Sequence, residues 1–98
     1  SIEVISLTAD EEKMKSITSF YEIKPYIESL KTAGRLDTYG KYSTMPQDGN
    51  CHLFVYDKQG KVVAALRKTG SNVLNMATLR GDNIKNYNEC GAIWLRIK

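Results

Sequence analysis

The stretch from His52 to Arg67 constrains the fold more than any other part of the chain. A β-prone run, His52 to Tyr56, is followed by Asp57, Lys58, Gln59 and Gly60 and then by a second run, Lys61 to Arg67. Two such runs separated by turn-forming residues read as an antiparallel hairpin, with Gly60 supplying the positive φ that closes the turn. Alternation along the first run sends Leu53 and Val55 to one face and His52, Phe54 and Tyr56 to the other. The C-terminal segment, Ala92 to Lys98, alternates equally well: Ile93, Leu95 and Ile97 face a core, whereas Trp94, Arg96 and Lys98 face away. Val73 to Leu79 fits either a strand buried on both faces or a helix starting at Ser71 or Asn72 and ending at Gly81, and the neighbouring hairpin favours the strand. The β-branched opening, Ile2 to Leu7, fits a further short strand. Residues 35–50 are rich in turn formers, Gly40, Pro46, Asp48, Gly49 and Asn50, with room for a short edge strand from Thr38 to Tyr42.

Ahead of the hairpin the apolar period changes. Thr8 and Glu11 form a capping-box pair, the threonine oxygen accepting from the Glu11 amide and the carboxylate accepting from the Thr8 amide. Asp10, Glu11 and Glu12 add negative charge at the positive end of the helix dipole. A helix is expected from Ala9 to Phe20, with Met14, Ile17, Phe20 and Tyr21 as its apolar stripe. Pro25 cannot continue that hydrogen-bond ladder but fits the first turn of a second helix, whose apolar face is Tyr26, Ile27 and Leu30 and whose end is marked by Gly34. Two helices, or one kinked at Pro25, are expected.

The fold class that follows is α+β, an N-terminal helix or helix pair packed on one face of a mainly antiparallel four- to five-stranded sheet. Ninety-eight residues, without repeat or linker, suit a single globular domain spanning 1–98. An apolar share of 42% with 26% charged residues excludes a disordered tail or a low-complexity rod. No apolar run is long enough for a transmembrane helix. Two helices cover only one sheet face, so the other is expected to be left to solvent, a partner chain or a second copy. The net charge of +3 is too small to demand a polyanionic partner, but it is unevenly spread: residues 1–33 hold six acidic and four basic side chains, and residues 34–98 hold five acidic and ten basic. The basic excess belongs to the sheet half. An opening Ser1 fits a processed chain, an excised domain or a tag remnant.

Few constellations suggest chemistry. Cys51, Cys90 and the single His52 are too few to hold a structural zinc. Cys51 and Cys90 are expected either as two free thiols or as a disulfide, which would close a loop of about 40 residues and contribute roughly 3–4 kcal/mol, provided the topology brings the two Cα atoms within about 7 Å, as a simple four-stranded meander would not. Such a bridge would favour an extracytoplasmic setting; location is otherwise open. Cys51 beside His52 invites a thiol-nucleophile reading, yet consecutive strand residues project to opposite faces. Arg80, Gly81 and Asp82 form an integrin-type tripeptide that reads more simply as a turn. The oxygen-rich stretch Asp82, Asn83, Asn86, Asn88 and Glu89 matches no EF-hand spacing. No cofactor or metal site is expected, and no catalytic residue is assigned.

Binding is the remaining theme. If Phe54 and Tyr56 shared an open face with Trp94, Arg96 and Lys98, the sheet would offer aromatics ringed by positive charge, suited to bases or sugars. Residues 49–56 nevertheless lack the aromatic pattern of an RRM strand, with Cys51 and Leu53 where aromatics belong. Six tyrosines exceed what so small a core can bury, and Tyr39, Tyr42 and Met45 fall in the long connection, where such side chains suit recognition. The functional expectation is a non-enzymatic interaction domain, of an accessory, inhibitory or immunity type, that binds a protein partner or itself. A nucleic-acid or small-ligand binder is the alternative, and a thiol-dependent enzyme the third.

Overall fold

In a computed structural model, residues 6–41, 50–70, 72–78 and 90–98 are described. Two helices, α1 (Ala9–Ser16) and α2 (Phe20–Thr32), precede five strands: β1 (Leu36–Lys41), β2 (Asn50–Tyr56), β3 (Val62–Thr69), β4 (Asn72–Thr78) and β5 (Gly91–Ile97). The sheet runs β1-β5-β2-β3-β4 and every neighbouring pair is antiparallel. Both helices pack against it, so the α+β arrangement is as expected.

The local signals explain most elements. Thr8 caps α1 through the reciprocal pair with Glu11, each bond 3.2 Å long. The β2–β3 turn is closed by Gly60 at φ +81°, and the Asp57 carboxylate accepts from the amides of Gln59 and Lys61, both at 2.9 Å. Gly34, at φ +68°, ends α2. Residues 72–78 form a strand, but an edge strand whose Val73 is 50% exposed, not one buried on both faces. The strand expected at Ile2–Leu7 lies outside the described residues except for Ser6 and Leu7, which are not in a strand.

Two helical expectations are corrected. The first helix stops at Ser16, because Thr18 and Ser19 turn to the sheet: Ser19 bridges Lys61, the Val62 amide donates to the Thr18 carbonyl at 2.9 Å, and the Phe20 amide donates to the Gly60 carbonyl at 2.6 Å. The second helix therefore starts at Phe20, and Pro25 sits inside it, not in its first turn. Pro25 removes the donor that would serve the Tyr21 carbonyl, a loss tolerated because Tyr21 and Pro25 both face solvent.

The helix-side core joins Met14 and Ile17 with Ile23, Tyr26, Ile27 and Leu30 of α2 over Phe54, Val62, Ala65, Met76, Ile93 and Leu95 of the sheet. Gly91 lies directly across from Tyr56, whose ring would meet an added Cβ at 2.4 Å, so any larger residue there would displace the tyrosine ring. On the far side a second buried cluster gathers Cys51, Leu53, Val55, Val63, Ala64 and Trp94. The far face is thus not left open at these positions, contrary to the expectation from helix count. Six apolar side chains in one patch would otherwise expose a surface large for a soluble protein, which is the physical pressure against an open face.

Candidate functional site

The aromatic and basic residues expected to share a platform are divided by the sheet. Phe54 is 0% exposed and sits under α2, its ring edge-to-face with Tyr26 at 6.5 Å. Tyr56 is half-buried on the same side, tilted against Phe20 at 4.9 Å. Trp94 pairs across from Leu53 on the opposite side and is only 6% exposed. Arg96 shares that far side, Lys98 is exposed at the strand end, and Tyr39 is 46% exposed on β1. Tyr42 and Met45, the Arg80–Asp82 tripeptide and the oxygen-rich residues 82–89 lie outside the described residues. Phe54 and Trp94 therefore cannot stack on one ligand.

The disulfide is also corrected. Cys51 and Cys90 are free thiols. They border the same far-side cluster, but at opposite ends of the β2–β5 ladder: Cys51 precedes the His52–Leu95 pair, and Cys90 precedes Gly91, the partner of Tyr56. Five strand residues lie between those positions, six residue steps or roughly 20 Å along the ladder, well beyond disulfide reach. The argument for an extracytoplasmic setting falls with the bridge. Cys51 and His52 project to opposite sides of β2, so the imidazole cannot serve the thiol as a base. Burial pushes the Cys51 thiol up, more than the nearby cations Lys68 and Arg96 draw it down, so it stays protonated at neutral pH.

Two features emerge that the sequence did not point to. The first is a groove of about 290 Å³ between α2 and edge strand β1, floored by Ile23, Ile27 and Ile93 and rimmed by Phe20, Lys24 and Tyr39. Lys31 lies over the Tyr39 ring at 4.7 Å and pairs with Glu28 at 3.6 Å; Lys41 lies over the Phe20 ring at 5.2 Å. Beside the groove, Tyr21 is 80% exposed, edge-to-face with Phe20 at 6.2 Å. The inward stripe expected to include Tyr21 requires a continuous helix. Once the chain breaks at Ile17–Ser19, α2 starts in a new phase and Tyr21 turns outward.

The second is a polar cluster beneath α1. Glu11, 1% exposed, accepts from Arg67 at 3.1 Å while still capping its own helix. Arg67 is the cross-strand partner of His52, so both point toward α1. Among the described residues, both ring nitrogens of His52, Oε2 of Glu11 and Nε of Arg67 are buried without a hydrogen-bond partner. Burial holds the His52 pKa below its ordinary value, opposing the pull of Glu11. For Glu11, burial acts upward but is outweighed by the Thr8 hydrogen bonds and by the charges of Arg67 and His52, so its carboxyl stays below the usual range. Next to it Asp10 receives both guanidinium nitrogens of Arg35, one at 3.1 Å, and the Tyr26 hydroxyl at 3.5 Å. Burial and the Asp10 charge push Tyr26 up to about 12.

Among the described residues no group of His, Cys, Asp and Glu is placed to hold a metal ion, and no helix is long and apolar enough to cross a membrane. Comparison with protein-family models, with characterised proteins and with solved structures finds no match for this chain.

Proposed function

We propose that this chain is a non-enzymatic interaction domain, accessory or inhibitory in character, that binds a protein partner or a second copy of itself through the surface formed by α2 and β1. The observation that carries this reading is the concentration of exposed aromatic surface there: among the described residues Tyr21 and Tyr39 are two of the few large hydrophobic side chains left open, and both flank the apolar groove. Tyrosine gives large contact area at modest entropic cost, and an edge strand beside a groove offers backbone hydrogen bonds as well. The base- or sugar-binding alternative draws no support from Phe54 and Trp94, which are buried on opposite sides of the sheet.

Photo-crosslinking residues placed at positions 21, 39 and 12 test the proposal in extracts of the cells that make the protein. Adducts of one discrete mass at 21 and 39, absent at the exposed α1 position Glu12, are expected. Equal labelling at all three positions, or none at any, would overturn it.

A further inference from the structure

The free edge of β1 carries a sequence that complements itself. Among the described residues β1 has β5 on one side and no strand on the other. Its residues run Leu36, Asp37, Thr38, Tyr39, Gly40, Lys41. Reading outward from Tyr39 in both directions, the acid at 37 stands as far away as the base at 41.

We propose that β1 pairs antiparallel with β1 of a second copy of this chain, about a two-fold axis through Tyr39, joining the two sheets edge to edge. The proposal rests on the interaction-domain reading and names its partner. A two-fold axis makes the contact isologous, so residue i meets j and j meets i. Only registers that place a residue opposite itself satisfy both edges, because the outward-facing backbone groups alternate along each strand. Centring on Tyr39 pairs Asp37 with the other copy's Lys41 twice over, and pairs the two tyrosines with each other. Centring on Thr38 or Gly40 loses both ion pairs.

Exposed sheet edges commonly use charge to repel other strands. On β1 the charges have opposite signs, so in this one register they attract. Thr38 to Lys41 keep an uninterrupted ladder with β5, whereas the register shift between Leu36 and Thr38 falls at Asp37, so the regular part of the paired edges is Thr38 to Gly40 and Asp37 meets the other copy's Lys41 from the bulge at its end. Tyr39 lies opposite Leu95 on the helix side, at the mouth of the groove lined by Phe20, Ile23 and Ile27. The two grooves would meet across the axis and share the paired rings. Edge strand β4 offers no such code, because Asn72 to Thr78 contains no charged residue to set a register.

Sedimentation equilibrium on the full chain, with circular dichroism as the control for folding, tests this. The unmodified protein is expected to move toward twice its 11.1 kDa mass as concentration rises. Asp37→Lys and Lys41→Asp should each weaken self-association by roughly tenfold or more, since each turns two attractive pairs into two repulsive ones. Mixing the two single variants restores both ion pairs and should restore the doubled mass, as should the double exchange within one chain. A chain that stays monomeric at about 1 mM, or single variants that associate as tightly as the unmodified protein, would overturn the self-pairing. Monomers that still give a discrete foreign adduct at position 39 would overturn self-pairing while supporting the interaction domain. Monomers that give no adduct would overturn both.

Discussion

The two helices lie on the same side of the sheet and are held there by different physics. α2 buries Ile23, Tyr26, Ile27 and Leu30 along one face of thirteen residues, the usual amphipathic solution. α1 has eight residues and buries Met14 and Glu11. Its anchorage is one apolar side chain plus a carboxylate that caps the helix, receives Arg67 and lies near His52. Apolar docking is indifferent to pH and sensitive to volume. Polar docking is the reverse, because a buried charge is tolerated only while its partners hold their own charge and place.

The sharpest break in this comparison comes from volume. Ile23→Ala or Leu30→Ala should cost about 2–5 kcal/mol, since both side chains are buried and the helix cannot collapse onto the sheet without dragging the backbone bonds to Gly60 and Lys61 that fix its start. Denaturant unfolding of the whole domain should shift; a loss below about 1 kcal/mol would mean that α2 is less firmly packed than its burial indicates. On α1 the corresponding test is charge. Glu11→Gln keeps an oxygen for the Thr8 amide but leaves Arg67 without its anion, at about 1–3 kcal/mol. The partly exposed side chain of Arg67 keeps that figure below the cost of breaking a fully buried pair. Pairing it with Arg67→Met should recover part of the loss, and purely additive costs would show that the two groups do not interact energetically.

Acid should separate the helices next. The folded state holds the His52 pKa below 6.5, so stability is full above that value and falls as pH drops toward the folded pKa, where the unfolded chain alone has taken the proton. Glu11 acts in the same direction in a lower window, its contribution fading as pH falls below 4.5 and through its own depressed value. Burial is the main cause of the depressed His52 pKa; of the charged groups around it, Glu11 and Asp10 of α1 oppose the depression and Arg67 of β3 adds to it. The melting temperature should therefore decline from pH 7 toward pH 5 in the unmodified protein and decline less in His52→Gln. A flat profile, or an unchanged slope in the variant, would remove His52 from the clasp.

What could be read from the chain beforehand was what its neighbours in sequence decide. The Thr8–Glu11 cap, the Asp57–Gly60 turn, the Gly34 stop and the alternation that sends Trp94 away from Leu95 are all settled within a few residues. What could not be read was settled across the sheet. The break at Ile17–Ser19 exists because Ser19 bridges Lys61, more than forty residues later in the chain, and that bridge rotates Tyr21 from core to surface. The insertion of β5 between β1 and β2 places Cys51 and Cys90 at opposite ends of one ladder and leaves β1 as an edge. Arg67 looked like the end of a hairpin strand; only its position under α1 makes it the partner of Glu11. The polar clasp and the α2–β1 groove are both tertiary in this sense.

The smallest effect gives the cleanest contrast, because the two helices begin with similar residues used differently. Thr8 at the start of α1 accepts from the Glu11 amide, whereas Ser19 at the start of α2 makes no such cap and its hydroxyl reaches only the exposed Glu22 carboxylate at 3.4 Å. The start of α2 is secured instead by the backbone: the Phe20 amide is satisfied by Gly60, and Ser19 belongs to the bridge with Lys61. Thr8→Ala should therefore cost about 1 kcal/mol, while Ser19→Ala should stay within about 0.5 kcal/mol. Thr8→Ser, which keeps the acceptor, should lie close to the unmodified protein. Amide exchange locates the effect: the Glu11 amide should exchange faster in Thr8→Ala, with the α2 amides unchanged. If the two alanine variants were equally destabilised, α1 would owe no more to its cap than α2 does, and the clasp of Arg67 on Glu11 would have to hold the helix on its own.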